Sequence, residues 1–354
     1  MKNKLKNIQA LRGIAVLLVM LLHLSAIEKK YSTDTIIPDF LHFGAFGVDI
    51  FFMISGFIMM TVTEGLARGS TTSSRFLLLR MTRIYPLYWL TTALLALLVW
   101  LAPGILSTPP SGVSFLFNSF FLLPQESIPL LSVGWTLVHE IYFYLVFACL
   151  LFLPEKKLPV SLLVWSLATI IFYYYLSPVQ EQAPWTYIAF NPLTLEFTTG
   201  CGIALLLRKW QPRSPTALLF AGFALAIVIW KYWQEQSGNS SDFPLGGDRV
   251  IYFLLPCALL LTGCTTMELR GLYLPAFLQK IGDTSYSIYL THVLALSAMG
   301  KIWQLFTIRD SIVDNLVALP VIFVLTIFTG VLCSRLLERA ILEFFRRHLH
   351  ISRQ

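Results

Sequence analysis

Between residues 8 and 337 the sequence returns repeatedly to apolar runs close to twenty residues long. A helix needs about 20 apolar residues to cross the hydrocarbon core of a bilayer, and within that core its backbone groups must be satisfied by the helix itself. Ten such runs are read here, at 8–27, 44–63, 84–103, 133–153, 159–177, 192–208, 215–234, 250–266, 283–303 and 315–337, the sixth being short. They fill the chain and leave no room for an additional soluble domain. A composition of 56% hydrophobic and 13% charged residues is not that of a soluble globular protein of this size. The expected fold is all-α: a polytopic integral membrane protein of about ten transmembrane helices, organised as a single domain over 1–354.

A net charge of +7 raises nucleic acid as a partner, but the distribution of charge argues against it. With the N-terminus inside, twenty of the 26 Lys and Arg fall in inner segments, and only Lys29, Lys30, Lys231, Arg249, Lys301 and Arg309 fall in outer ones. That asymmetry follows the positive-inside rule and places both termini in the cytoplasm. The five cysteines (149, 201, 257, 264 and 333) lie in or beside apolar runs without a CxxC or Cys/His cluster, so neither a disulfide framework nor a metal site is expected. The first apolar run follows a Lys-rich start, as in a signal peptide. It is long enough to span and lacks a small-x-small cleavage site, so it reads as a retained helix. Two outer loops are long: 104–132, rich in Pro and aromatics and suited to a folded or re-entrant piece, and 235–249, rich in turn formers.

Against this apolar background the ionisable residues stand out, because burying one in hydrocarbon costs at least about 2.5 kcal/mol. Arg12 and His23 are eleven residues apart in the first run, nearly a whole number of helical turns, which puts them on one face roughly 16 Å apart along the axis. The bland alternative is that Arg12 snorkels to the inner headgroups and His23 reaches the outer interface. Asp49 in GVDIFFMISGF could orient and polarise His23, or only hydrogen-bond helix ends. Arg80 and Arg83, three apart in RFLLLRMTRIYPLYW, share a helix face just before a span. They suit bidentate phosphate recognition, or equally a positive-inside stop. Glu140 and Tyr144 in SVGWTLVHEIYFYLVF share a face, and a buried Glu there must be neutral, paired or in a wet cavity. Ser285, Tyr289 and His292 make a polar stripe that could contact substrate or pack helices. Glu196 carries the same ambiguity.

Six segments together resemble one family, the acyltransferase-3 family of bacterial membrane proteins that includes O-antigen and exopolysaccharide O-acetyltransferases. They are NIQALRGIAVLLVMLLH, GAFGVDIFFMISGFIM, FLLLRMTRIYPLYW, SVGWTLVHEIYFYL, LEFTTG and IGDTSYSIYLTH, in the family's order and across nearly the whole chain. The resemblance implies a multi-pass enzyme of the bacterial cytoplasmic (inner) membrane. Such an enzyme takes an acyl group, usually acetyl, from cytoplasmic acyl-CoA. It passes the group to a sugar hydroxyl on a cell-envelope polysaccharide or its lipid-linked precursor. The family's Arg–ten residues–His pattern lands on Arg12 and His23, its Arg-x-x-Arg on Arg80 and Arg83, and its motif ending in Glu and aromatics on Trp135, Glu140 and Tyr144. His139, directly before that Glu, receives no role.

Residues and resemblance combine into one expected mechanism. Arg12, Arg80 and Arg83 bind the phosphates of acetyl-CoA, and the pantetheine arm reaches inward over a distance like the Arg12–His23 separation. His23 is general base on the acceptor hydroxyl, oriented by Asp49 or Glu140. Trp135, Tyr144, Tyr289 and His292 contact substrate. The expected partners are membrane lipid, acyl-CoA and a glycan or lipid-linked glycan; oligomeric state stays open. Two alternatives remain at this point. One is a proton-coupled secondary transporter using His23, Asp49, Glu140 and Glu196, although no inverted repeat is visible. The other is a non-catalytic scaffold of a polysaccharide assembly complex.

Overall fold

The computed structural model describes residues 5–32, 35–102, 112–236, 249–306 and 312–348. Residues 103–111, at the end of the expected span 84–103 and the start of the loop 104–132, and residues 237–248 of the loop 235–249 lie outside the described residues. Every one of the ten expected spans is helical: α1 (Lys6–Tyr31), α2 (Phe46–Val62), α3 (Ser70–Leu101), α5 (Gly134–Leu150), α6 (Leu158–Leu176), α8 (Leu193–Leu207), α9 (Pro215–Gln236), α10 (Arg249–Leu269), α12 (Ser285–Phe306) and α13 (Ile312–Cys333). Shorter helices α4 (Val113–Phe121), α7 (Pro184–Ala189), α11 (Ala276–Asp283) and α14 (Arg339–His348) connect or follow them. Among the described residues, 8 helical stretches are long and apolar enough to cross a membrane. The two of the ten that fall outside this set are α5, with 17 residues, and α12, whose Ser, Thr, His and Lys residues dilute its apolar character. The chain is an all-helical, polytopic membrane protein. Many apolar side chains on α6 and α13, such as Leu163, Ile171, Val317 and Phe328, are exposed and offer lipid-facing surface.

The helices group into two compact units: residues 1–58 with 199–336, and residues 59–198 with 337–353. In the first unit α1 is the central element. Its start is tied down by the last turn of α10, where Glu268 accepts hydrogen bonds from the backbone N–H of Lys6 (2.5 Å) and Asn7 (2.9 Å). These two donors have no partner inside the helix, and the carboxylate favours the positive end of the helix dipole. Asn7, fully buried, donates to the carbonyls of Cys264 and Leu272 and accepts from the N–H of Leu274. At the other end of α1, buried Glu28 accepts from the backbone N–H groups of Ile36 (2.6 Å) and Ile37 (3.0 Å) and from Asn315 on α13 (3.4 Å). Leu24, Ile27, Tyr31, Leu296, Trp303, Leu319 and Ile322 form the apolar core among α1, α12 and α13.

Glycine lets backbones meet in this unit. A Cβ on Gly282 of α11 would lie 1.7 Å from the Gln9 carbonyl oxygen, and one on Gly13 would lie 2.3 Å from that of Leu278. Gly200 of α8 is packed in the same way against Met53 of α2, where a Cβ would sit 2.0 Å from its carbonyl oxygen. Such small-residue contacts are the usual means of close helix packing in a bilayer.

The second unit is built on aromatic packing. Phe143 stacks at 5.0 Å from Phe197, Phe76 lies 5.4 Å from Phe147, and Trp165 closes on Phe197 at 5.9 Å. Contrary to the expected span at 84–103, α3 begins at Ser70 and carries Arg75, Arg80 and Arg83 within one continuous helix. The described part of the loop 104–132 is folded onto it. Tyr85, Tyr88 and Trp89 of α3 donate to the carbonyls of Phe121, Ser119 and Phe120 on α4, satisfying acceptors at the end of a short helix.

Candidate active site

In the first unit, Arg12 and His23 share α1 as one uninterrupted helix, so the separation of about 16 Å along the axis holds. Arg12 is half-buried and bonds the Gln9 side chain at 3.3 Å. His23 Nδ1 lies 2.9 Å from the Val19 carbonyl oxygen. A carbonyl can only accept, so Nδ1 carries the hydrogen, and in the neutral ring Nε2 holds the lone pair. The ring therefore presents Nε2 as a proton acceptor with its orientation fixed from behind.

The neighbour of His23 is His292 of α12. The ring centroids are 4.9 Å apart and the planes cross at 79°. His292 is fully buried, and its own Nδ1 donates to the Tyr289 carbonyl at 2.6 Å. Tyr289 completes the group, with its ring 5.6 Å from His292 and 6.0 Å from Phe51. His23 of the first run is thus brought together with Tyr289 and His292 of the polar stripe read on a later one.

The structure places Asp49 in a different set of contacts, with Arg249. Its side chain is fully buried and both carboxylate oxygens are bound by Arg249, with Nε to Oδ1 at 2.9 Å and Nη2 to Oδ2. Nη2 also donates to the Ala45 carbonyl at 2.7 Å. A buried carboxylate needs a partner of opposite charge, and a guanidinium that engages both oxygens satisfies it more completely than an imidazole. Arg249, read as an outer loop residue, is the first residue of α10 and is buried. The one sequence signal for it was an Arg immediately before an apolar run, too common a pattern to single it out.

In the second unit, Arg80, Tyr144 and Glu140 come together. The Arg80 guanidinium carbon lies 5.9 Å from the centre of the Tyr144 ring and 5.6 Å from that of Phe76. Tyr144 in turn donates its hydroxyl to Glu140. Aromatic faces hold a cation by cation–π attraction without using its N–H donors, and the Arg80 Nε is buried with no hydrogen-bond partner among the described residues. Arg83 follows one turn later on α3, half-buried. Trp135 packs edge-on against His139 at 5.9 Å. His139 itself is enclosed by Trp135, Phe143 and Tyr187, the environment of a packed core residue. Glu196 is fully buried in the first turn of α8.

Residues 5–335 match the family model described as "Acyltransferase domain". The chain belongs to this acyltransferase family. It is 36% identical over 272 residues to the "Exopolysaccharide production protein ExoZ" of Rhizobium meliloti (strain 1021), covering 73% of this chain and 78% of that protein. It is 26% identical over 326 residues to "Acyltransferase MdmB" of Streptomyces mycarofaciens, covering 83% of this chain and 79% of that one. No solved structure matches. Family membership and the apolar helices together make the chain a multi-pass membrane acyltransferase.

Proposed function

We propose that this acyltransferase moves an acetyl group from cytoplasmic acyl-CoA to a hydroxyl of a cell-envelope exopolysaccharide or its lipid-linked precursor. We place it in the bacterial cytoplasmic membrane with both termini inside, and read 1–354 as one catalytic domain. The similarity to a protein named for exopolysaccharide production supports a glycan acceptor. The observation that carries the chemistry is the His23 ring, with Nδ1 bonded to a backbone carbonyl and Nε2 left as the accepting nitrogen.

In this reading His23 Nε2 takes the proton of the acceptor hydroxyl as its oxygen attacks the thioester carbonyl. The carbon–sulfur bond breaks, and the proton passes on to the departing sulfur to give free CoA thiol. Arg80 and Arg83 bind the phosphates of the donor by charge-assisted hydrogen bonds. Glu140 acts through Tyr144, holding the ring on which Arg80 rests. Trp135, Tyr144 and Tyr289 supply aromatic and hydroxyl contacts to substrate.

The test is thiol release from acetyl-CoA by purified full-length protein in lipid nanodiscs with a glycan acceptor. His23→Ala is expected to lower the rate by about 10²–10⁴-fold, the usual contribution of a general base, while leaving CoA binding unchanged. Arg80→Ala with Arg83→Ala is expected to raise the donor Kd. Full transfer by His23→Ala would remove the base assignment. Unaltered CoA binding by the double Arg variant would remove the phosphate site.

A further inference from the structure

We propose that His292 is a positioning partner of the base. This rests on the reading of His23 as general base. Two observations converge on it. The first is the edge-to-face contact, which brings the His292 ring against His23 from a different helix. The second is the state of the His292 ring. Its Nδ1 donates to the Tyr289 carbonyl, so Nε2 holds a lone pair, and that nitrogen is buried with no hydrogen-bond partner among the described residues.

A buried acceptor without a donor is costly in a folded protein, of order 1–3 kcal/mol, and such groups need a reason to persist. Proton transfer supplies one. When His23 takes the acceptor proton it becomes a cation among apolar helices, with the Val19 carbonyl accepting from Nδ1. His292 places a second neutral imidazole in edge-to-face contact with it, a polar ring that still holds an unshared lone pair beside the charge. The charge on His23 lasts only until the proton passes to the CoA sulfur, so this support acts on the step itself. His292 neither gains nor loses a proton.

Two substitutions separate this role from packing. His292→Phe keeps a ring against His23 but removes the nitrogen. His292→Gln keeps a polar atom near the position of Nε2 and removes the ring. Transfer kinetics are measured in nanodiscs, with thermal unfolding to confirm that both variants fold. The expected result is a kcat about 10- to 100-fold lower for His292→Phe with an unchanged KM for acyl-CoA, the range found when a supporting partner is removed. His292→Gln should recover most of the loss. In a His23→Ala background, His292→Phe should lower the residual rate no further, because a residue acting through another shows no independent effect. Wild-type kcat in His292→Phe would overturn the proposal, as would a full further loss on top of His23→Ala. Full activity in His23→Ala alone would instead overturn the base assignment beneath it.

Discussion

Buried in an apolar helix, the Asp49 carboxylate is held by Arg249, 200 residues further along the chain. The consequence of removing one partner is steep. Asp49→Ala leaves a buried guanidinium uncompensated and should destabilise the protein by about 3–5 kcal/mol, seen as a large drop in Tm or as loss of folded protein from the membrane. Replacing both partners, as in Asp49→Leu with Arg249→Met, should restore the fold and keep acyl transfer. A folded but inactive double variant would return Asp49 to the chemistry. The sequence makes Asp49 conspicuous because a charge in an apolar run is rare, but it does not identify the partner. Arg249 stands at the edge of a turn-rich segment, where an Arg is unremarkable. His23 was legible from its spacing to Arg12. Its pairing with His292 was not, since α1 and α12 are far apart in sequence and no periodicity links them.

Helices were far more legible than contacts. All ten apolar runs are helical, because a twenty-residue apolar stretch has few other solutions in lipid. What hydropathy missed was helix without apolarity. The first turns of α3 carry Ser, Thr and Arg, so the helix extends well before the apolar run that revealed it. The short helices α4, α7 and α11 sit among loop-like residues, with too few turns to show a period. Interhelix glycines give a test at this scale. Gly282→Ala would push a methyl group into the Gln9 carbonyl and should cost about 1–3 kcal/mol or more as α1 and α11 separate. Gly202→Ala, in the interior of α8 with nothing within 4 Å of the new Cβ, should be neutral or stabilising by about 0.5–1 kcal/mol. Thermal unfolding of the two variants in the same detergent checks the contrast. Equal effects would mean that the α1–α11 contact is looser than described.

For the molecule as a whole, the surplus of Lys and Arg in alternate loops leads us to propose a topology that fusions can read. Green fluorescent protein joined to the C-terminus should fluoresce, and alkaline phosphatase joined there should be inactive, as for a cytoplasmic end. The opposite pair of results would reverse the side from which acyl-CoA is drawn. The ties of the first helix also have a consequence in time. Asn7 is satisfied by α10 and the segment after it, His23 meets its neighbour on α12, and Glu28 is bonded in part from α13. Ribosomes deliver these elements last. Until then α1 waits in the membrane with its Asn7 amide unmet, its His23 ring without its neighbour and its Glu28 carboxylate bonded only in part, from Ile36 and Ile37. Over that interval its Asn, His and Glu have to be sheltered by the insertion machinery, by water or by lipid headgroups. Nascent chains halted before residue 249 should accordingly be easy prey for membrane proteases, whereas chains released after α13 should resist them.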